Sequence, residues 1–248
     1  AASDVYKRQI DMNIKQKNIV FPKISSLGDK ALIVEFGDHF DVNLNKKALA
    51  LDFILNEALP YGITETAPTL ISLMVRFNPM KITYKSVREK ILFLLEGDLD
   101  VSTNKGRLFV IPAVYGADDG PDLDEVADLM KMAPDQVISS HTDHEQQVMM
   151  LGFGAGCSYC GLLPPVWDIP RGNRITPSVP SGSLLIALRQ TVFPSTSMPT
   201  GWRRIGTSPC RTFDLNRDPK FLLNAGDRIR FEKAVSYTHL TLPTNREV

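Results

Sequence analysis

The sequence lacks three features that would each place it in a particular class of protein. Its 28 Lys and Arg residues are balanced by 28 Asp and Glu residues, which argues against a nucleic-acid-binding or membrane-surface protein. No apolar run approaches the roughly 20 residues that a membrane-spanning helix needs, and no signal-peptide core follows the N-terminus. The 3 cysteines among 248 residues argue against a disulfide framework. We therefore expect a cytoplasmic protein with one large core or two smaller ones, and with neither nucleic-acid nor membrane partners.

The two ends of the sequence share an unusual relationship at the level of DNA. The segment from Asp4 to Gln9 can be encoded by a stretch whose reverse complement, in another frame, encodes the segment from Ser236 to His239. One inverted element thus explains both ends, and it is similar to the transposon adapter of shotgun sequencing libraries. We predict that residues 1–9 and 235–248 are adapter-like artefact and exclude them from the fold.

The first half of the remaining chain alternates strand and helix patterns. Apolar residues at three- and four-residue spacing predict two helices, the first of them capped by Asn43 or Asn45, and short β-branched or apolar runs predict strands. The order strand, helix, two strands, helix predicts an α+β domain with helices on one face of an antiparallel sheet. The predicted elements are strand 31–36, helix 44–58, strands 62–66 and 69–77, helix 84–96 and strand 107–113.

The second half of the chain differs from the first in composition and in its predicted elements. Two short helices are predicted at 122–132 and from Pro134 to His141. Beyond them, 152–219 is dense in glycine and proline, and short apolar runs occur at 183–188, 202–205 and 228–231. Short strands separated by many turns are typical of a β-barrel or a β-sandwich.

The densest candidate chemistry is the glycine-rich segment 152–161. Its glycines can expose backbone N–H groups to an anion or a carbonyl oxygen, because they permit close approach and positive φ. The segment has neither a dinucleotide fingerprint nor the Gly-Lys-Ser/Thr ending of a phosphate loop. Further along, Arg171 and Arg174 are either a solvated surface pair or a fork for a carboxylate or phosphate.

Four potential metal ligands also stand near one another. His141 and His144 precede Cys157 and Cys160 at spacings compatible with tetrahedral zinc. The cysteines could instead form a redox pair, and His141 could be either a buried or capping hydrogen-bonding residue or a general base. Because the two pairs fall in different predicted elements, we expect no metal.

Ordered motifs along the chain resemble the family of the 5-oxoprolinase B-type subunit, also known as kinase A inhibitor KipI and allophanate hydrolase subunit 1, of the carboxyltransferase subdomain C and D type. The resemblance covers about residues 25–233. The matching segments include Gly28 to Asp38, Tyr115 to Ala127, His141, Met150 to Gly161, Pro170-Arg171, Val179 to Ser183, Gln190-Thr191, Gly201 to Pro209, Phe213 to Pro219, and Leu222 to Phe231.

The resemblance implies a small α+β N-terminal domain at 24–106 and a cyclophilin-like β-barrel domain at 107–234. It implies a subunit that works with A- and C-type partner subunits to open 5-oxoproline to glutamate, using ATP that is bound through the complex and not by this chain alone. The family also includes histidine-kinase inhibitors and carboxyltransferase modules of biotin-dependent urea carboxylases, which are the alternative functions.

The resemblance also suggests the residues that contact the small amide substrate. Donors from the glycine-rich segment and Arg171 would cradle the developing oxyanion, with His141 as a catalytic base or orienting group at the edge of that cradle. The expected binding residues are Gly152, Phe153, Gly156, Tyr159, Gly161, Arg171, Gly182, Ser183, Gln190, Thr191 and Trp202.

Overall fold

A computed structural model describes residues 20–58, 60–97, 99, 106–234 and 245–246 of the chain. The predicted adapter-like segment 1–9 lies outside the described residues, and so does all of 235–248 except the two-residue strand at 245–246. No helix within the described ranges is both long enough and apolar enough to cross a membrane.

Four antiparallel strands and two helices form the N-terminal part. The sequence predicts both helices and three of the strands, whereas the first strand is additional. The strands follow the order β1-β2-β4-β3, and the buried residues of both helices join one hydrophobic cluster with those of the sheet. The apolar stripes of the helices thus face the sheet, where they are withdrawn from water. The elements are β1 (Lys23–Leu27), β2 (Ala31–Glu35), α1 (Val42–Ala58), β3 (Ile63–Pro68), β4 (Ser72–Phe77) and α2 (Tyr84–Glu96).

The start of α1 differs from the sequence prediction. The carboxylate of Asp41 accepts a 2.7 Å hydrogen bond from the Asn43 N–H, so neither Asn43 nor Asn45 caps the helix. Asn45 is buried instead, and its amide donates to the carbonyls of Thr69 and Met149, each at 3.1 Å. Met149 belongs to the barrel, so this buried asparagine joins the two parts of the molecule.

A closed barrel of seven strands forms the C-terminal part, which confirms the barrel and excludes the sandwich. Around the barrel the order is β12-β9-β10-β7-β6-β13-β5, and β5 closes the ring by pairing with β12. The first and last barrel strands, β5 and β13, pair in parallel from Leu108 with Arg228 to Ala113 with Lys233. The barrel strands are β5 (Leu108–Tyr115), β6 (Gln146–Leu151), β7 (Ser158–Gly161), β9 (Ser183–Ala187), β10 (Gln190–Phe193), β12 (Arg203–Thr207) and β13 (Arg228–Lys233).

Smaller elements surround the barrel. Helix α3 (Leu123–Met130) packs against β12, and α4 (Pro134–Thr142) packs against β13. The helix that the sequence predicts at 122–132 ends two residues earlier, at Met130, because Lys131 has a left-handed backbone conformation. A separate two-stranded sheet pairs β8 (Thr176–Val179) with β11 (Met198–Thr200), and β14 (Asn245–Arg246) pairs with β5.

The barrel has its own hydrophobic core, which is distinct from that of the N-terminal sheet. Trp167, Phe193 and Phe231 are among its largest fully buried side chains. Cys160 belongs to this core, whereas Cys157 belongs to a smaller cluster with Val179, Leu185 and Val192. The two cysteines lie three positions apart along β7 and its approach, and alternation along a strand sends them to opposite faces.

Candidate functional site

A cleft of about 810 Å³ lies between the N-terminal part and the barrel. Helix α1 and strand β3 form one wall, and barrel loops form the other, including the glycine-rich segment. Part of the site predicted from sequence therefore lies in a cavity of the size that small-molecule ligands occupy. The lining residues are Asp52, Phe53, Asn56, Glu65, Thr66, Ala67, Pro68, Gly106, Arg107, Leu151, Gly152, Gly154, Ala155, Gly156, Phe221, Asn224, Ala225 and Asp227.

The glycine-rich wall of the cleft is a tight loop that precedes β7. It closes through hydrogen bonds from the Gly152 N–H to the Cys157 carbonyl, 3.0 Å, and from the Cys157 N–H to the Gly154 carbonyl, 3.1 Å. The Thr212 hydroxyl donates to the Gly156 carbonyl at 2.9 Å, and the Ser195 hydroxyl donates to the Ala155 carbonyl. The loop is thus fixed from outside by two neighbouring segments.

The geometry of the loop leaves backbone donors available. Among the described residues, no acceptor is recorded for the N–H groups of 153–156. Gly156 has φ +70°, and a Cβ there would lie 2.8 Å from the Cβ of Phe213. Phe153 also has a positive φ, +67°, with 75% of its surface exposed; a bulky residue in this region is strained. Free N–H groups on a fixed loop suit an anion or a developing oxyanion.

The opposite wall carries a carboxyl group that the sequence analysis did not single out. The Asn56 amide donates to the Asp52 carboxylate at 3.1 Å and to the Thr66 hydroxyl at 2.9 Å. Burial raises the pKa of Asp52, while hydrogen bonds from Thr66 and Asn56 oppose that rise. The spacing of apolar residues identifies the buried face of α1, but it does not indicate which polar residues of the helix line the cleft.

An ion pair between a partly exposed arginine and a buried aspartate also lines the cleft. Arg107 contacts the Asp227 carboxylate through Nε at 3.2 Å and Nη2 at 2.7 Å, and its own N–H adds a third bond at 3.0 Å. The Asn224 N–H donates a further hydrogen bond to the Asp227 carboxylate, at 2.8 Å. Asp227 stands in a motif that carries the family resemblance, but nothing in the sequence pairs it with Arg107.

His141 is not among the residues that line the cleft, and its expected role as a base or orienting group at the edge of the cradle stays a prediction. It has no exposed surface and stacks on Phe231 inside the barrel, with ring centroids 5.0 Å apart. Its Nδ1 is 2.8 Å from the Tyr115 hydroxyl, and its Nε2 is 2.9 Å from the Thr191 hydroxyl. Burial lowers the pKa of His141 to about 3. These contacts favour the first of the two alternatives that the sequence left open, a buried hydrogen-bonding residue.

Three other predicted binding residues form a separate surface cluster. Tyr159 meets Trp202 edge to face with centroids 6.4 Å apart, and the Arg171 guanidinium lies 5.6 Å from the centre of the Trp202 ring. None of the three lines the cleft. The single cradle of glycine-rich loop and Arg171 that the sequence suggests is therefore divided between two places.

The remaining predicted residues lie in barrel strands or, for Gly182, in the turn that leads into β9. Gly161 and Gln190 are paired across β7 and β10, and Thr191 pairs with Cys160. Ser183 is buried and its hydroxyl donates to the Pro180 carbonyl at 2.7 Å. Gly182 lines a second, smaller pocket of about 280 Å³.

The proposed zinc ligands do not converge. Cys157 and Cys160 occupy different clusters, and His144 is engaged with the Ser140 carbonyl at 2.7 Å. Within the described ranges, no three His, Cys, Asp or Glu side chains are grouped so as to hold a metal ion. Burial raises the pKa of both thiols, that of Cys157 to about 11, which disfavours the thiolate that redox chemistry requires.

The sequence of this chain is similar to a known protein family and to its characterised members. Residues 22–223 match the family of the carboxyltransferase domain, subdomain C and D. The B-type subunit of the Bacillus subtilis 5-oxoprolinase is 33% identical over 223 residues, which cover 84% of this chain and 91% of that protein.

Solved structures give the same picture of the fold. The crystal structure of TTHA0988 superposes with a TM-score of 0.73 at 29% identity over 84% of this chain. The match spans 40% of that longer chain. The Kluyveromyces lactis urea carboxylase has a TM-score of 0.65 at 18% identity, covering 85% of this chain and 21% of that one; this likeness concerns the fold alone.

Proposed function

Because the chain belongs to the family of the carboxyltransferase domain, subdomain C and D, we propose that it is the B-type subunit of a cytoplasmic, ATP-dependent 5-oxoprolinase. Its partners would be the A- and C-type subunits, and its small-molecule substrate would be 5-oxo-L-proline or a related cyclic amide. ATP would bind through the complex, since this chain has no Gly-Lys-Ser/Thr phosphate loop.

One observation carries the proposal. The identity of 33% with the B-type subunit of the Bacillus subtilis 5-oxoprolinase extends over 91% of that protein. A match of that extent includes both the N-terminal sheet and the barrel, and therefore both walls of the cleft. The 18% likeness to urea carboxylase is too low to favour a carboxyltransferase function in the same way.

The chemistry explains what the cleft would contribute. Opening an unstrained lactam requires the carbonyl oxygen to become a leaving group, which phosphorylation by ATP would supply. Transfer of the phosphoryl group to that oxygen would release ADP, water would then add to the activated carbon, the C–N bond would break and phosphate would leave. Negative charge would develop on the oxygen that comes from water, and fixed donors at that point would lower the barrier. The free N–H groups of Gly154, Ala155 and Gly156 would be those donors, because Thr212 and Ser195 already hold the loop in place.

The other predicted site residues keep distinct proposed roles. Tyr159, Arg171 and Trp202 offer a cationic and aromatic surface outside the cleft, which suits a partner protein or a substrate tail. His141 would act through Thr191 as a positioning residue, because its ring reaches no solvent.

We also propose that the two hydrophobic clusters correspond to separate domains, 24–106 and a cyclophilin-like barrel at 107–234. Limited proteolysis tests this division. Two stable fragments that separate near residue 106 would support it, and a first cut within either cluster would contradict it.

The functional test is reconstitution. The full chain is mixed with candidate A- and C-type subunits, and ADP release is followed with and without 5-oxo-L-proline. We expect lactam-dependent ADP release that requires all three proteins. ATP consumption that ignores the lactam, or a complete lack of ATP consumption by a complex that assembles, would overturn the proposal.

A further inference from the structure

The second pocket is lined by basic and hydroxyl side chains that have no part in the cleft or in the proposed reaction. It has a volume of about 280 Å³ and lies beside the turn that leads into β9. Its wall includes Arg204, Arg211, Ser181, Ser208, Thr207 and Asp119. Two guanidinium groups and several hydroxyls thus surround a space of the size of a small polar ligand.

The two arginines carry charge that the described residues do not neutralise. Neither Arg204 nor Arg211 forms an ion pair within the described part of the chain, not even with Asp119 on the same wall. Arg204 uses one N–H group on the Asp118 carbonyl at 2.9 Å, which leaves further donors on its fork. Two such cations beside one pocket attract an anion.

Two of the hydroxyl groups, those of Ser181 and Ser208, add donors of the matching kind, whereas the Thr207 hydroxyl already donates to the Asp119 carbonyl at 2.8 Å. Ser208 is buried, and its oxygen accepts from the Cys210 N–H at 3.2 Å, so its own hydrogen remains free to donate. Ser181 is exposed at the rim. The backbone behind them is rigid, because the Gly182 carbonyl accepts from the Ser208 N–H at 2.8 Å and a Cβ at Gly182, φ +78°, would collide with the Ser208 carbonyl.

We propose that this pocket binds a small oxyanion, a phosphate or carboxylate group, held by Arg204, Arg211 and the Ser208 hydroxyl. Arginine recognises both groups through the same planar fork. This site is separate from the cleft and does not depend on the proposed lactam-opening function.

The pocket also adjoins the wall of the cleft. Ser195 lines the pocket, and its hydroxyl donates to the Ala155 carbonyl of the glycine-rich loop. An anion in the pocket would therefore sit one side chain away from the loop, and we expect its binding to perturb Ala155 as well as the pocket itself.

The test is an amide NMR titration of the full chain at constant ionic strength. Inorganic phosphate is added in one arm and 5-oxo-L-proline in the other, with chloride as the balancing anion. We expect saturable shifts at Ser181, Gly182 and Ser208 in at least one arm. Phosphate alone, the carboxylate alone, or both would each support the oxyanion site and identify the group that it prefers.

Variants decide whether the arginines are responsible. Arg211→Gln alters an exposed side chain and should leave the fold intact, while raising the dissociation constant about tenfold through loss of a charge-assisted hydrogen bond. Arg204→Gln should act in the same direction. Arg174→Gln, an exposed arginine outside the pocket, is the matched control. Absence of saturable shifts in both arms, or equal affinity in Arg211→Gln and Arg174→Gln, would overturn the proposal.

Discussion

The side-chain amide of Asn45 donates a hydrogen bond to the main-chain carbonyl of Met149, 3.1 Å away, across 104 residues of sequence. The same amide also reaches the Thr69 carbonyl. One fully buried side chain of α1 therefore satisfies acceptors in the N-terminal part and in β6 of the barrel. Since β6 leads directly into the glycine-rich loop, this contact joins an element of one wall of the cleft to an element of the other.

Replacing Asn45 should weaken the whole molecule. In Asn45→Ala the buried Met149 carbonyl and the partly buried Thr69 carbonyl lose their donor, which costs about 1–3 kcal/mol of unfolding free energy. Urea unfolding measures the loss. Asn43→Ala, two residues away and exposed, is the control and should change stability by less than about 0.5 kcal/mol; equal effects of the two variants would contradict the joining role of Asn45.

The Arg107 and Asp227 pair offers a second test. Asp227→Asn removes the charge that Arg107 contacts twice and weakens an acceptor shared with two backbone N–H groups. We expect a loss of about 1–2 kcal/mol, because the buried Asp227 side chain loses charge-assisted hydrogen bonds, while water still solvates part of the Arg107 guanidinium. Thermal unfolding should show almost no effect for Glu232→Gln, whose partner Arg230 is 3.5 Å away on the surface.

Acid should destabilise the protein through His141. Its pKa falls from 6.5 to about 3 on folding, so between these values the unfolded chain binds a proton that the native chain does not. Stability is then fully present above about pH 6.5 and declines as the pH falls, by up to about 1.4 kcal/mol per unit from this residue.

Urea unfolding at several pH values tests that slope. His141→Gln should lower stability at neutral pH but flatten its decline toward pH 4. His39→Gln, which removes an exposed histidine, should retain the slope of the unaltered protein. A slope that is unchanged in His141→Gln would show that other groups cause the acid sensitivity.

Alanine substitutions at two glycines with similar backbone angles distinguish the stability cost of backbone strain from that of steric collision. Gly28 and Gly156 have φ of +65° and +70°, but a Cβ at Gly28 meets nothing within 4 Å, whereas one at Gly156 meets Phe213 at 2.8 Å. Gly28→Ala should cost about 1–2 kcal/mol, and Gly156→Ala should cost more. If the proposed function holds, Gly156→Ala should also reduce lactam-dependent ADP release in the reconstituted complex, while Gly28→Ala should not.

The fold was largely predictable because its elements carry clear local patterns. The stripe of Val87 and Ile91 predicted helix 84–96 with the bounds that the structure gives. The sequence does not predict strand β1, because Lys23 to Leu27 has no apolar alternation. Strands β8 and β11 are short and contain proline, so their pairing comes from tertiary context and not from propensity.

The site was less predictable because it depends on distant segments. Glycine content pointed to the loop at 152–156, which does line the cleft. Asp52 could not be recognised, since nothing local distinguishes it from any polar residue on the outer face of a helix. His141 and Arg171 are near the loop in sequence order but not in the cleft, because the barrel directs one inward and the other onto Trp202.

The parallel pairing of β5 with β13 sets a practical limit on how the protein can be shortened. The family match ends at residue 223, whereas β13 covers Arg228–Lys233. A fragment cut at the end of the match would leave β5 and β6 without their common neighbour. Their unpaired edges would then be open to strands of other chains. Such a fragment should aggregate on expression, and any truncated version of the barrel should extend at least to Lys233.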